Sequence, residues 1–361
     1  MRVDFDRIKE RMTALWNHEI LDRCCVSVIY EEPEKRQAID AFPVGSEDRM
    51  RYWTDPEIVL QRNLSHMDNT YYAGDAFPLV SLNLGPAGHA GFVKNMKWSY
   101  EPSTIWFTPF MQDELNPESI IFDENSFLFQ KTLEHARYFR DECRGEYLIS
   151  MPDLAGNMDV LAALRGSQEL LVDFLAEDEA VIRECLDRIQ RMWEAGLEET
   201  YKIVEDCNHG GSTIGWLRTW APGFHGQIQC DISVMFSNDI YEKYARRELE
   251  KQSGFLEYPL YHFDGMEQIR HLDTLLSVEK LRMIQWTSVV GQPSPLQFID
   301  QLKKIQEKGK GLLLLLKPEE IEPAMEQLSS KGLFILAEAK SREEADRIVK
   351  IVEKIPENKK C

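Results

Sequence analysis

Short apolar runs alternate with amphipathic stretches along most of the chain, and this predicts strands and helices in turn. The first twenty or so residues place Phe5, Ile8, Met12, Leu15 and Ile20 on a helical pattern, and residues 24–30 read as a strand. Asp55 before Pro56 predicts an N-cap and first helical position, opening a helix to about His66. Residues 71–83 form a loop feeding an extended segment, and alternating aromatics at 98–110 predict an inserted hairpin. A regular rhythm follows. Strands are expected at 147–151, 212–216, 227–233, 257–262, 283–286, 311–316 and 333–337. Helices are expected at 159–174, 177–207 and 237–253, and after Ser341, where Ser341 and Glu344 form a capping-box pattern. About eight strands separated by helices, without a glycine-rich phosphate loop after the first, predict an α/β chain. The expected architecture is a (β/α)8 TIM barrel with a decorated N-terminal region, one domain over residues 1–361, with N-terminal helices and the hairpin inside 1–145.

Within this pattern, residues 258–265 read Tyr-Pro-Leu-Tyr-His-Phe-Asp-Gly. Side chains two apart on a strand share a face, so His262 and Asp264 point one way and Tyr261 and Phe263 the other. In a barrel such residues end at the catalytic mouth; otherwise they are a core histidine held by a carboxylate. Residues 227–233 alternate likewise, with Gln227, Gln229, Asp231 and Ser233 on one face. A barrel strand is buried on both faces, so Gln229 and Asp231 must find partners or line a cavity. Gln285 and Trp286 repeat the idea one strand later. Trp216, Arg218, Trp220 and His225 form an aromatic and polar loop suited to orienting a small organic substrate, or to packing over a barrel mouth. Asp153, Asn157 and Asp159 follow a strand, and Asn157 is equally a turn residue. Asp75 and Asn83 are further loop candidates for substrate contact.

Nitrogen plus carboxylate oxygen in His262-x-Asp264 suits zinc, whose catalytic sites need about three protein ligands. Glu338, just beyond the last strand, is the candidate third. No nucleophile elbow, H-E-x-x-H pair, Walker loop or dinucleotide fingerprint is present.

Composition narrows the partners. The net charge of −19 argues against nucleic acid or an anionic membrane. The N-terminus lacks the apolar core of a signal peptide, and the longest apolar run is too short to span a bilayer, so a cytoplasmic location is expected. Seven scattered cysteines without a C-x-x-C pair read as reduced thiols.

These residues resemble the uroporphyrinogen decarboxylase superfamily, which includes cobalamin-dependent methyltransferases. The likeness rests on Met-Pro-Asp-Leu at 151–154, Leu-Arg-Gly-Ser-Gln-Glu at 164–169, the segment from Gln229 through Asp231 to Ser237, and His262-x-Asp264 with Ile284-Gln285-Trp286. Asp75 looks like the family's active-site aspartate. The decarboxylases' arginine-rich motif is absent from 26–33, and their late histidine from 333–341. The zinc methyltransferases use His-x-Cys and a distant Cys; here Asp264 replaces the first Cys, and none lies near Glu338. The resemblance therefore implies a methyltransferase moving a methyl group between a small methylated compound and a corrinoid. Zinc would sit on His262, Asp264 and Glu338, with Asp231, Gln229 and Asp75 catalytic. Trp216, Trp286, Gln285, Asn157 and Asn83 would bind substrate. The corrinoid would arrive on a partner protein, since the chain lacks a D-x-H-x-x-G motif, and the family tends to form homodimers. The alternatives are a metal-free decarboxylase or other lyase on a small carboxylated substrate, and a non-catalytic barrel that binds a small ligand.

Overall fold

The computed structural model describes residues 3–35, 45–86, 88–176, 178–287 and 291–355. In chain order the strands are β1 (Cys25–Glu31), β2 (Thr70–Gly74), β3 (Leu79–Val80), β4 (Trp98–Tyr100), β5 (Ile105–Phe107), β6 (Leu148–Ile149) and β7 (Ser212–Ile214). They continue as β8 (Thr219–Ala221), β9 (His225–Ile228), β10 (Tyr258–Phe263), β11 (Met283–Trp286), β12 (Gly311–Leu315) and β13 (Leu333–Glu338). Seven form one sheet in the order β2-β1-β13-β12-β11-β10-β9, parallel throughout except for β2 on β1. β3 and β6 make a separate parallel pair, joined to β7 where Met151 N–H donates to the Thr213 carbonyl at 2.8 Å. From β7 the Ser212 hydroxyl bridges to the backbone of His225 in β9. The fold is thus α/β around a mostly parallel sheet. Among the described residues no unbroken strand ladder closes that sheet into a ring.

The sheet's two faces follow from its period of two. Tyr261, Phe263, Ile284, Trp286, Leu312 and Leu314 pack outward among the helices. Leu260, Met283, Leu313, Phe334 and Cys25 form a second cluster on the inner face, near the strands' N-terminal ends. Helix Phe5–Trp16 covers it with Ile8, Met12, Leu15 and Trp16, and the Trp16 indole donates to the Trp220 carbonyl at 2.9 Å. Further along the same strands the inner positions become polar: His262 follows Leu260, and Gln285 follows Met283. Apolar filling at one end therefore leaves the other for chemistry.

Several elements depart from expectation for local reasons. The strand predicted at 227–233 ends at Ile228, and residues Asp231–Met235 form a 3-10 turn. The Asp159 carboxylate takes the N–H groups of Asp231 (3.1 Å) and Ile232 (2.8 Å), withdrawing them from any ladder. The helix expected at 159–174 splits into Asn157–Arg165 and Ser167–Ala176 at Gly166, whose φ of 104 is left-handed. The 237–253 helix contains a π turn at Tyr241–Ala245. The hairpin forms from β4 and β5. Ser341 caps the last helix by accepting from Glu344 N–H, while the Glu344 carboxylate reaches Lys340 N–H instead of closing the box. No helix among the described residues is long and apolar enough to cross a membrane.

Asp75 anchors the N-terminal helix. It is fully buried after Gly74, whose φ of 67 and close approach to the Val26 carbonyl leave no room for a Cβ. Its carboxylate accepts from Arg11 (2.9 Å), Arg23 (2.6 and 3.3 Å) and Val26 N–H (2.9 Å). Removing one member of a buried ion pair strands the other charge, at a cost of about 3–5 kcal/mol. Asp75→Ala is accordingly expected to lose about that much stability in urea unfolding; a loss within ~0.5 kcal/mol, typical of a neutral surface change, would show that the network is dispensable.

Candidate metal centre

At the C-terminal ends of β9, β10 and β11 the chain brings together Asp231, His262 and Asp264. One ligand atom from each lies within 4.8 Å of the others. His262 Nε2 is 3.4 Å from Asp264 Oδ1, and both side chains are mostly buried. On the other side of the ring, Nδ1 lies 2.5 Å from Gln285 Oε1 and 3.1 Å from Thr287 Oγ1. Gln285 Nε2 donates to Thr287 Oγ1 at 2.6 Å, which turns its Oε1 toward the ring. An amide oxygen can only accept, so Nδ1 carries a proton, and Nε2 is the nitrogen that faces the carboxylates: a donor to Asp264 while the ring is protonated, a lone pair once a cation takes that proton's place.

A chain of amides holds Asp231. Gln227 Nε2 donates to Asp153 Oδ1 (2.7 Å) and Gln229 Oε1 (2.8 Å), and Gln229 Nε2 donates to Asp231 Oδ2 (2.8 Å). The Trp216 indole donates to Gln227 Oε1 at 2.5 Å and meets the His262 ring edge-on at 5.1 Å. Asp231 Oδ1 is buried and has no hydrogen-bond partner among the described residues. That is a costly state for a carboxylate oxygen unless a proton or cation meets it.

Charge makes the same point. Asp153, Asp159, Asp231 and Asp264 share the region with one imidazole. Burial, then the charges of Asp159, Asp264 and Asp153, push the Asp231 carboxyl well above the usual range against the pull of His262. Burial raises Asp153 to about 6. Burial by itself lowers His262, but the bond to Asp264, the charge of Asp231 and the bond to Gln285 outweigh it and hold the imidazole above its ordinary value. The donor set of one imidazole and two carboxylates fits a divalent cation such as zinc.

The other expected site residues lie elsewhere. Glu338 ends β13, exposed, and lines a cavity of ≈ 250 Å³ with Arg218, outside the three-ligand group. Asp75 directly follows β2, beside the N-terminal end of β1, and its oxygens are taken up by Arg11, Arg23 and Val26 N–H. Trp286 is on the outer face, stacked on Phe298 at 5.5 Å, because the neighbouring Gln285 faces inward. Asn157 is buried between helices, donating to Gln190 (2.6 Å) and Glu248 (2.8 Å). Asn83 accepts from Gly85 N–H at 2.7 Å and lines a small cavity of ≈ 50 Å³ beside Asp153, Trp216 and Gln227. The positioning roles of Asp159 and Thr287 were not legible in the pattern. Thr287 had a signal, its i+2 spacing from Gln285, whereas Asp159 is 72 residues from Asp231.

No protein-family model matches the chain, and no curated protein matches it. Among solved structures, a methyltransferase from Methanosarcina mazei is similar, with a TM-score of 0.61 over 96% of this chain and 98% of that chain, at 11% identity. At that identity the likeness establishes a shared fold.

Asp159 supplies no ligand atom but holds the turn that carries Asp231. Asp159→Asn puts an NH2 group against one of the two N–H donors and should weaken zinc binding about 10–100-fold. Competition with a chromogenic chelator measures this; unchanged affinity would show that the turn holds without the carboxylate.

Proposed function

We propose that this protein is a metal-assisted methyltransferase, moving a methyl group between a small methylated compound and a corrinoid carried by a partner protein. The observation that carries the reading is the His262, Asp264 and Asp231 cluster. Support comes from a fold shared over nearly its whole length with a methyltransferase, and from the motif resemblance to the cobalamin-dependent branch of the uroporphyrinogen decarboxylase superfamily. On this reading the parallel strands are those of a (β/α)8 barrel whose C-terminal mouth is the active site.

In this assignment Asp231 replaces Glu338 as the third metal ligand, beside His262 and Asp264. When bound, zinc supplies a Lewis acid that draws electron density from the methylated heteroatom. The chain's own groups prepare that position. Gln285 accepts a hydrogen bond from His262 Nδ1–H and leaves Nε2 directed at the carboxylates. Gln229 occupies Asp231 Oδ2 and leaves Oδ1 open. Trp216 walls the pocket and keeps the Gln227 amide directed at Gln229 and Asp153. As the methyl passes to the corrinoid, the heteroatom would keep the electron pair of the broken bond, and a cation held by His262, Asp264 and Asp231 would stabilise that charge.

A second reading has a specific observation behind it. Without metal, Asp231 is pushed toward holding its proton near neutrality, as a lyase acid would be. Metal content separates the two. Untagged wild-type protein should hold near-stoichiometric zinc by elemental analysis, and His262→Ala and Asp264→Ala should lose it while keeping the far-UV circular dichroism of the wild type. Zinc-loaded protein should methylate cob(I)alamin from methoxy or methylamine compounds, followed by absorbance. Metal-free protein that also fails to take up added zinc would sink the methyltransferase reading in favour of the lyase.

A further inference from the structure

The turn joining β7 to β8 holds an arginine that makes no ion pair among the described residues. Arg218 N–H donates to the Gly215 carbonyl at 3.1 Å, and Arg218 takes φ 50, a left-handed conformation that favours glycine or asparagine. Its Nη1 is buried and has no hydrogen-bond partner among the described residues. The guanidinium is largely desolvated, with the Glu338 charge acting on it but no ion pair between them among the described residues. Gly215 in the same turn is not among the residues with positive φ; the left-handed position falls on Arg218. A strained residue and an unmatched buried donor together mark a ligand contact rather than a packing solution.

The space beside it has the right size and position. A cavity of ≈ 250 Å³ is lined by Arg218 with Tyr72, Ser81, Asn63, Trp216 and Glu338. Trp216 also lines the smaller cavity at Asp153 and Gln227, and its ring abuts His262. A molecule anchored at Arg218 would therefore lie along Trp216 toward the metal cluster. We propose that Arg218 binds the carboxylate of a small carboxylated ligand in this cavity. A guanidinium presents two parallel N–H donors that match the two carboxylate oxygens, and an apolar wall suits the remainder of the ligand. That this ligand is the methylated substrate rests on the methyltransferase reading; the carboxylate site itself does not.

Benzoate and benzamide test the assignment, because they share a shape and differ in charge. Calorimetric titration of the wild-type protein should show saturable benzoate binding about tenfold or more tighter than benzamide. Arg218→Asn, which tolerates the left-handed backbone, should bring benzoate down to the level of benzamide. Glu338→Gln, at an exposed position, should bind benzoate more tightly than wild type because a competing negative charge is gone. Asp264→Ala, which removes a proposed metal ligand, should bind benzoate as wild type does. Equal binding of the two probes by wild type, full benzoate affinity in Arg218→Asn, or weaker binding in Glu338→Gln overturns the proposal. Loss of benzoate binding in Asp264→Ala overturns it too, since the anion would then be held by the metal centre. Zinc content, measured separately, decides the methyltransferase reading, so the two can fail independently.

Discussion

The polarity gradient along the inner face of the parallel sheet governs this molecule. Parallel strands are buried on both faces, so every inward residue must be filled against or hydrogen-bonded. At the N-terminal ends the filling is apolar and is completed by the helix bearing Ile8, Met12, Leu15 and Trp16. That helix is held by Asp75, a carboxylate without solvent access, through Arg11, while Arg23 ties the same carboxylate to the start of β1. With that end closed, the inward positions at the other end can be Gln227, Gln229, His262 and Gln285, which would be intolerable in the middle of an apolar core. The amides are not passive there: each one satisfies a neighbour and fixes the orientation of the next.

Those amides also fix which atoms are left over. Gln285 and Thr287 occupy one nitrogen of His262, and Gln229 occupies one oxygen of Asp231. What remains is one imidazole nitrogen and carboxylate oxygens facing one another in a desolvated place. Like charges so close cannot all stay ionised without a compensating cation, and the described residue that meets Asp231 and Asp264 with positive charge is His262. The arrangement is therefore tuned either to hold a cation or to hold a proton on Asp231. The shared fold does not choose between the two, since one fold hosts many chemistries.

Much of the fold was legible because period-two and period-3.6 patterns survive in a two-sided sheet. The strands at 283–286 and 258–263 and the long helix Glu179–Val204 follow the hydrophobic pattern closely. The i+2 rule put His262 and Asp264 together, whereas Gln285 comes beside them through the register of β11 on β10. It could have excluded Trp286 as a pocket wall, because a residue adjacent to an inward Gln285 must face out. Asp231 reached the cluster by a different route from the one its alternation implied. Asp159 ended the strand early, and a long-range side-chain bond of that kind leaves no periodic trace. Asp75 and Asn157 were misleading for a related reason: their partners, Arg11 and Arg23 in one case and Gln190 and Glu248 in the other, come from distant segments. A polar residue in a loop reads alike whether it meets substrate or a buried arginine.

The donor types bear on what chemistry the centre would favour. Thiolates donate charge heavily to zinc and blunt its acidity, which suits activating a bound thiol. One imidazole and two carboxylates are harder donors and leave a more acidic ion. Such an ion is better matched to polarising an oxygen or nitrogen that is losing a methyl group than to delivering a thiolate. A substrate carboxylate bound directly to that ion would cancel the advantage by adding another negative donor. Holding the carboxylate at Arg218, across Trp216 from the cluster, would keep it away from the ion and leave the Lewis acid free for the reacting heteroatom. Separate binding of the two ends would also explain why the unpaired guanidinium sits on the β7–β8 turn rather than among the four carboxylates, where an ion pair would have neutralised it.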